Sequence, residues 1–339
     1  MKNKKHHVYI IAEVAQAHDG SLGILHSYID AIAETGVDAI KFQTHIAEAE
    51  SSAKEPFRTN FSYEDATRYD YWKRMSFNKE QWIGIKEHCE EKGLQFLSSP
   101  FSIAAVDLLE SIGISQYKIG SGEVTNFLML ERIAKTGKPI ILSSGMSSYS
   151  ELDSAIDIIR AHGNELSILQ CTTSYPTPPE RIGLNVISEL KTRYPNFRVG
   201  LSEHTGRIAT GIAAVALGAE ILEFHAVFDR RMFGPDTASS LTIGEITDLV
   251  SSVRFLENSL SNPIDKNDLS PYSELKSIFE KSIAVNKDLP EGHILSLEDL
   301  EAKKPANEGI SARFFRDILG KAINKKLAKW SFLKREDIL

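Results

Sequence analysis

Several short apolar segments of the chain end in side chains that can bind anions, metal ions or protons. His204 and His225 follow two such segments. If the two segments form adjacent strands, the strands lie about 4.8 Å apart. The two imidazoles could then share one divalent metal or hydrogen-bond to each other. Lys41 and Lys118 lie in two other segments and, together with Ser and Thr hydroxyls, are suited to bind a phosphate and a carboxylate. Carboxylates available for proton transfer are those of Glu13, Glu123 and Glu223.

The segments that carry these residues alternate with longer helical patterns. Each segment is short, mostly apolar and ends in a polar cluster, which is typical of a parallel strand covered on both faces. The eight predicted strands span residues 8–14, 38–44, 94–100, 116–122, 139–145, 166–175, 198–204 and 221–227. Eight strand–helix units predict a (β/α)8 TIM barrel. A doubly wound open sheet is the alternative, but the first strand–helix turn has no GxGxxG motif, so dinucleotide binding has no support.

In a barrel of this kind, chemistry takes place at the carboxyl ends of the strands. Because buried polar groups are costly without partners, polar residues at the same end of all eight strands predict a functional site there. These residues are Glu13; Lys41 and Gln43; Ser98 and Ser99; Lys118, Ser121 and Glu123; Ser143 and Ser144; Thr172, Thr173 and Tyr175; Ser202 and His204; and Glu223 and His225. Cys171 is interpreted as a buried structural thiol with no evident base beside it. His18 could be catalytic, a cap or solvated.

The connection after the second predicted strand is unusually long. Residues 45–77 separate this strand from its helix, which begins near Asn78, and they are rich in aromatic and charged side chains rather than in Gly and Ser. Long loops in compact domains are usually functional or disordered. This composition favours a packed loop that faces the substrate, and the alternative is a surface excursion that protects the barrel rim.

Composition narrows the class of protein. The 339 residues carry a net charge of −7, which argues against a nucleic-acid-binding surface, and no segment approaches the ~20 apolar residues of a membrane helix. Two cysteines cannot form a disulfide framework, which favours a cytoplasmic protein. We predict a catalytic barrel over residues 1–262, a polar linker over 263–276 and a small domain over 277–339, with a final helix near 312–319. Residues 301–339 are locally basic, with ten Lys or Arg and five Asp or Glu.

Taken in order, the motifs resemble those of the bacterial sialic acid synthases. They read IIAEVAQAHDGSLG, AIKFQTH, FLSSPFS, YKIGSGE, ILSSGM, QCTTSYPTP, GLSEHT, ILEFHAV and GPDTASSL, and the tail SIAVNKDLPEGHILSLEDLEAKKP is similar to the C-terminal antifreeze-like (SAF) domain of that family. The resemblance implies a (β/α)8 barrel with an SAF domain in a domain-swapped homodimer. It also implies a metal-dependent condensation, with Mn²⁺ or a similar ion. Phosphoenolpyruvate (PEP) would combine with an open-chain N-acyl hexosamine aldehyde to give a nine-carbon 2-keto acid.

The same resemblance implies roles for individual residues. His204 and His225 match the metal ligands, and Glu13 and Glu123, with Lys41 beside them, match catalytic positions. The positions that hold PEP are matched by Lys118, Ser99, Ser121, Ser143 and Thr173, the last standing where the family usually has Asn. The positions on the sugar side are matched by Gln43, Tyr175, Asp236 and Lys304.

Departures from the family pattern bear on the acceptor sugar. The segment after the first strand reads Ala-His-Asp-Gly at residues 17–20 in place of Asn-His-Glu-Gly, Phe42 follows Lys41, and Lys304 stands where the family has an arginine. A lysine lacks the planar fork of an arginine. Together with the aromatic loop around Tyr69, this predicts a 2,4-diacetamido-6-deoxy hexose of the legionaminic type as the acceptor. The alternatives are N-acetylmannosamine as acceptor, a metal-free aldolase that uses Lys118 or Lys41 as a Schiff base, and a non-enzymatic sugar- or ice-binding module.

Overall fold

The structure, a computed structural model, describes residues 7–59 and 61–339. The chain divides into two compact units, Met1–Asn262 and Pro263–Leu339. Residues 1–6 of the predicted barrel domain and residue 60 of the long loop lie outside the described residues. None of the helices in the described part of the chain combines the length and apolar character of a membrane span.

The first unit is a closed barrel, which confirms the predicted fold class. Over the described residues, eight parallel strands pair in sequence order, and β1 also pairs with β8 to close the sheet. The strands are β1 (Tyr9–Glu13), β2 (Ala39–Thr44), β3 (Gln95–Pro100), β4 (Tyr117–Ile119), β5 (Ile140–Ser143), β6 (Leu166–Cys171), β7 (Arg198–Glu203) and β8 (Ile221–Val227). A two-residue strand, β9 (Leu241–Thr242), extends β8 beyond the barrel.

Helices cover the outer face of the barrel. They are α1 (Leu22–Ala33), α2 (Ala47–Glu50), α3 (Arg68–Met75), α4 (Lys79–Glu91), α5 (Ile103–Ser111), α6 (Phe127–Ala134), α7 (Tyr149–Ala161), α8 (Leu184–Arg193), α9 (Ile208–Ala216) and α10 (Ile243–Leu260). Their starts follow the sequence closely, because Ser148 and Thr242 each open a helix with a reciprocal capping box. Helices α2 and α3 are the exception, because they pack on each other in the long connection after β2; the apolar faces of the other helices pack on the outward side chains of the strands in one large core.

Side-chain alternation along the strands places the polar residues inside the barrel. The barrel interior holds a small apolar cluster of Ile11, Ala39, Leu97, Ile141, Leu169 and Ile221. Successive side chains of a strand point to opposite faces, so the residue two positions further faces the same way. Polar residues therefore form the next layer, each two positions after a residue of this apolar cluster on the same strand. They are Glu13, Lys41, Ser99, Ser143 and Glu223. Position 200 of β7 must be glycine, because a Cβ there would lie 2.2 Å from the carbonyl oxygen of Ile221 on the neighbouring strand.

Several strands end earlier than the sequence pattern predicts. β4 ends at Ile119, and Ser121 and Glu123 lie in a short 3-10 turn instead. β6 ends at Cys171, so Thr173 and Tyr175 lie in the loop that follows. Apolar and β-branched composition continues past these points, but the ladder hydrogen bonds do not, and composition alone cannot show where pairing stops.

The long connection between β2 and α4 is packed rather than extended. It contains α2 and α3, and Tyr71, Trp72 and Met75 of α3 form a buried cluster with Ala47 of α2. Thr67 caps α3 by accepting a hydrogen bond from the backbone N–H of Asp70. The loop thus has a small apolar core of its own, which fits the interpretation of a packed loop.

The second unit is a small domain with its own apolar core. It contains α11 (Ser273–Phe279) and an antiparallel pair, β10 (Ser282–Val285) and β11 (Leu300–Lys303). Helix α11 begins inside the predicted linker. The predicted final helix is a 3-10 helix, Ala312–Asp317, with a kink at Phe314. The core is made by Ile283, Val285, Leu289, Leu295, Ile310, Ile318, Ile323, Leu327 and Leu333.

Candidate active site

A cavity of about 360 Å³ lies at the carboxyl ends of the barrel strands. Its floor includes Glu13, Lys41, Ser99 and Glu223, which lie one layer above the apolar cluster inside the barrel. The 45–77 loop forms part of its wall. Of the residues proposed from sequence, the cavity is lined by Glu13, Lys41, Gln43, Ser99, Lys118, Ser121, Glu123, Thr173, Tyr175, His204, His225 and Asp236. The fold thus brings together side chains that lie up to 223 residues apart, Glu13 and Asp236 being the most distant.

Two buried lysines and two buried glutamates form the charged floor. The Lys41 ammonium lies 3.0 Å from Glu13 Oε2 and 3.4 Å from Glu223 Oε1, and the Lys118 ammonium lies 3.2 Å from Glu223 Oε1. Burial lowers the pKa of Lys118, whereas at Lys41 the two glutamates outweigh burial and raise the pKa. Lys118 is therefore less firmly held as a cation and would gain from an anionic ligand.

A group of hydroxyls surrounds Lys118. Its ammonium donates to Ser143 Oγ at 2.8 Å, and Ser121 Oγ accepts from the backbone N–H of Gly145 at 3.1 Å. A Cβ on Gly145 would lie 2.5 Å from Thr173 Oγ1 and 2.6 Å from Ser121 Oγ, so only glycine fits between them. Thr173 Oγ1 is buried without a hydrogen-bond partner among the described residues. An unpaired donor in the cavity that also holds the Lys118 ammonium suits a bound anion.

The two histidines lie side by side at the rim. Their ring centroids are 5.2 Å apart, and no hydrogen bond joins these two described side chains. His204 Nδ1 lies 3.1 Å from the carbonyl oxygen of Thr172, which therefore accepts from it and leaves Nε2 as a ligand atom. His225 Nε2 lies 3.5 Å from Glu13 Oε2. The pair fits a divalent metal with two protein nitrogens, although the described residues hold no ready-made group of three or more His, Cys, Asp and Glu ligands.

Two carboxylates of the cavity, Glu13 and Glu123, differ in their environment. Burial opposes the ionisation of Glu13, but Lys41 and His225 outweigh it and hold the pKa of this carboxyl well below its usual range. Both oxygens of Glu13 are engaged, since Oε1 accepts from Gln43 Nε2 at 2.8 Å and Oε2 pairs with Lys41. At Glu123 burial raises the pKa, and Asn126 Nδ2 donates to its Oε2 at 2.7 Å. Glu123 is thus the better placed of the two to accept a proton.

Sequence reasoning missed part of the cavity wall. His45 is stacked between Trp72 and Phe101, with centroid distances of 3.9 and 4.4 Å, and its Nδ1 lies 2.6 Å from Glu50 Oε1. Further wall residues are Gln16, Glu55, Phe57, Arg58, Phe61, Arg68 and Tyr71, and Ser202 and Glu223, which the strand ends had indicated, line the cavity as well. The one available signal was the composition of the 45–77 loop, since most of these side chains lie beyond any strand end.

Some proposed residues lie outside the cavity. Ser143 supports Lys118 from below without lining the cavity, and Lys304 lies in the second unit, its ammonium 4.6 Å from the ring centroid of Phe279. Three strand-end hydroxyls bond elsewhere: that of Ser98 to the hydroxyl of Thr44, that of Ser144 to the carbonyl oxygen of Leu169, and that of Thr172 to the carbonyl oxygen of Arg181. Their positions one residue before or after an inward-facing residue turn them away from the barrel axis.

The structure gives two further residues a definite environment. Cys171 is buried, and His204 Nδ1 lies 3.9 Å from its Sγ, but this nitrogen carries the proton that it donates to the Thr172 carbonyl oxygen and is not a free base for the thiol. His18 is buried, and its Nδ1 accepts from the backbone N–H of Gly20 at 3.0 Å while its ring packs on Phe77. His18 therefore stabilises the turn after β1, and the solvated alternative is excluded.

Comparison with known proteins places the chain. Residues 28–265 match the NeuB family and residues 280–338 match the SAF domain. The chain is 34% identical to the N,N'-diacetyllegionaminic acid synthase of Campylobacter jejuni, with 93% of this chain and 96% of that protein covered. It is 33% identical to the human N-acetylneuraminate-9-phosphate synthase, with 94% and 89% covered.

Solved structures agree with these sequence relatives. The N-acetylneuraminic acid (sialic acid) synthetase from Leptospira borgpetersenii superposes with a TM-score of 0.70 at 30% identity, covering 80% of this chain and 91% of that one. The barrel, the SAF domain and the ordered strand-end motifs thus point the same way. The chain belongs to the NeuB family, the sialic acid synthases that its motifs resemble, and carries an SAF domain after its barrel.

Proposed function

We propose that the protein condenses PEP with the open-chain aldehyde of an N-acyl amino-hexose, giving a nine-carbon 2-keto sugar acid (a nonulosonic acid) and phosphate. The observation that carries this proposal is the arrangement of one cavity in a NeuB chain. Lys118 and its hydroxyls provide an anion site, and His204 and His225 provide a pair of imidazoles at the same rim. Relatives at about a third identity are named synthases of sialic-type acids.

PEP is assigned to the floor of the cavity. The negative charge of its phosphate and carboxylate would pair with the Lys118 ammonium. The hydroxyls of Ser99, Ser121 and Thr173 would donate hydrogen bonds to the same ligand. Ser143 contributes by holding the Lys118 ammonium at 2.8 Å. Because these groups are already in place on strand ends, little reorganisation is needed when the anion binds.

The reaction then follows from the positions of the two substrates. The C3 carbon of PEP attacks the acceptor aldehyde carbon, whose oxygen takes a proton and becomes a hydroxyl. Water adds to the resulting cation at C2 and loses a proton to a base, for which Glu123 is the candidate. The tetrahedral adduct then expels phosphate to leave the 2-keto group. Holding both substrates face to face lowers the activation free energy of the condensation by several kcal/mol.

A divalent metal fits this scheme. We propose Mn²⁺ or a similar ion on His204 and His225, where it would polarise the acceptor aldehyde as a Lewis acid. The role of the chain itself is to orient His204 through the carbonyl oxygen of Thr172, at 3.1 Å from Nδ1. Glu13 keeps Lys41 and Gln43 in place through its two oxygens.

The acceptor is proposed to be a 2,4-diacetamido-6-deoxy hexose. Phe57, Phe61, Tyr71 and Trp72 give the outer wall apolar surface, which suits a 6-deoxy methyl or a second acetamido group. The similarity to a diacetyllegionaminic acid synthase supports the same choice. The alternative acceptor is N-acetylmannosamine, which would use less of this wall.

Assembly and location are further proposals. We propose a domain-swapped homodimer in which the basic segment 301–339, including Lys304, reaches the barrel of the partner subunit. We also propose a cytoplasmic location, supported by two cysteines that are both buried and free.

The proposal is tested with a panel of acetamido sugars incubated with PEP and Mn²⁺. We expect phosphate release and a product whose mass equals that of PEP plus sugar plus water minus phosphoric acid. A Schiff-base aldolase, which the lowered pKa of Lys118 would favour, predicts instead that borohydride and a keto acid trap a covalent adduct. Full activity in EDTA together with such an adduct would refute the proposed synthase.

A further inference from the structure

Arg58 joins two parts of the cavity rim that are distant in sequence. It lies in the 45–77 loop, and its Nη2 donates to Asp236 Oδ1 at 2.7 Å and to the carbonyl oxygen of Pro235 at 3.2 Å. Its guanidinium carbon lies 4.0 Å from the centroid of the Tyr175 ring. The side chain is nevertheless 41% exposed, and it lines the cavity. The guanidinium plane is therefore held in position but not enclosed.

The donors of Arg58 are only partly used. Both of its hydrogen bonds to described residues come from Nη2, so the donors on Nε and Nη1 remain without a partner among these residues. Arg68, the other arginine of the outer wall, is more fully engaged. Its Nε pairs with Glu55 Oε1 at 3.1 Å and its Nη1 donates to the carbonyl oxygen of Pro56. Arg58 thus has two nitrogens, Nε and Nη1, without a hydrogen bond to the described residues, whereas Arg68 has one, Nη2.

The charge of the outer wall selects the ligand chemistry. Arg58 and Arg68 are accompanied there by four carboxylates, those of Glu50, Glu55, Glu123 and Asp236. Both arginines already pair with one of these groups. A phosphate on the distal end of the acceptor would add about two negative charges to a wall that is already negative. A neutral oxygen, as in an amide carbonyl, meets no such repulsion.

We propose that Arg58 is a specificity-determining residue that donates to the carbonyl oxygen of a neutral acylamino group at the distal end of the acceptor sugar. This inference rests on the proposed synthase function. Stacking on Tyr175 and bonding to Asp236 hold the guanidinium so that little side-chain freedom is lost when the sugar binds. A lysine at this position could not stack and donate in two directions with the same geometry.

The test compares Arg58→Ala and Arg58→Lys with the wild type in steady-state phosphate release. Two acceptors are used, a 2,4-diacetamido-6-deoxy hexose and N-acetylmannosamine, which lacks the distal acetamido group. Arg58→Ala is expected to lower kcat/KM at least about tenfold on the first sugar and less than about threefold on the second, with the KM for PEP unchanged. Arg58→Lys is expected to restore little of the loss.

Controls separate contact with the sugar from a structural role. Arg231→Ala is the matched control, because Arg231 is 90% exposed and pairs with Asp229 away from the cavity; it should behave as the wild type. A double-mutant cycle with Asp236→Asn tests whether Arg58 acts only by holding Asp236, in which case adding Arg58→Ala to Asp236→Asn would cause no further loss on the diacetamido sugar.

Three results would overturn the inference. One is an equal effect of Arg58→Ala on both sugars, and another is full non-additivity with Asp236→Asn. The third is better wild-type turnover of N-acetylmannosamine 6-phosphate than of either neutral sugar. Absence of phosphate release from the wild type with every acceptor would overturn the proposed function and this inference with it, so the two failures are distinguishable.

Discussion

Removing the hydroxyl of Thr173 should separate substrate binding from stability. Thr173 Oγ1 is buried and has no hydrogen-bond partner among the described residues, and Thr173 lines the same cavity as Lys118. Valine has nearly the same shape and lacks the hydroxyl. Thr173→Val therefore removes no protein hydrogen bond from the free enzyme, and it relieves an unsatisfied buried group.

Thr173→Val should weaken the binding of PEP and leave the folded protein equally or more stable. Hydrogen bonds to charged groups are worth about 1.5–3 kcal/mol, so losing one to PEP should raise its KM about 10- to 100-fold. The free energy of unfolding should stay the same or rise by up to about 1 kcal/mol, since an unpaired polar group no longer has to be buried. A change of this size moves the melting temperature of such a domain by only about 2–4 °C.

The assay is phosphate release at varied PEP with the acceptor saturating, together with thermal and urea unfolding. Thr172→Val is the matched control. Thr172 Oγ1 donates to the carbonyl oxygen of Arg181 at 2.7 Å outside the cavity, so this variant should lose about 1 kcal/mol of stability and keep the wild-type KM for PEP. If Thr173→Val loses stability while its KM for PEP is unchanged, Thr173 is structural and the PEP site has been placed wrongly.

Further predictions concern the metal, pH and assembly. His204→Ala and His225→Ala should each abolish turnover without unfolding the barrel; wild-type activity of either after chelation and return of Mn²⁺ would disprove the metal assignment. Burial, with His45 and Arg74 nearby, lowers the pKa of His18 from its ordinary 6.5 to about 3, so below pH 6.5 the unfolded chain binds a proton that the folded chain does not. Stability should therefore fall by about 1.4 kcal/mol per pH unit from pH 6.5 towards 3. His18→Asn retains an acceptor for the Gly20 N–H but has no imidazole to protonate. Between pH 7 and pH 5, its free energy of unfolding, measured with urea, should therefore fall by about 2 kcal/mol less than that of the wild type. Identical pH dependence of the two proteins would contradict this. Sedimentation at micromolar concentration should show a dimer, and a fully active monomer would refute the assembly.

The sequence by itself determined the barrel and the floor of its cavity. Alternation along a strand is a local property, so Ile11 and Glu13, or Ile221 and Glu223, must face the same side once the strand forms. Eight such strands with polar ends can converge only if the sheet closes. The two lysines and the two histidines that line the cavity could therefore be named from residue types and spacing, and the ordered motifs identified the family.

Only the tertiary structure decided which neighbouring residues enter the cavity and what covers it. Ser99 and Thr173 face the cavity, whereas Ser98 and Thr172 bond elsewhere, because the register of each strand end selects one face. Arg58 meets Asp236 across 178 positions of sequence, and no periodicity links a loop residue to a partner that far away. The wall of the cavity depends on how the 45–77 loop packs on the barrel, and packing of a loop is a long-range outcome that local patterns do not encode.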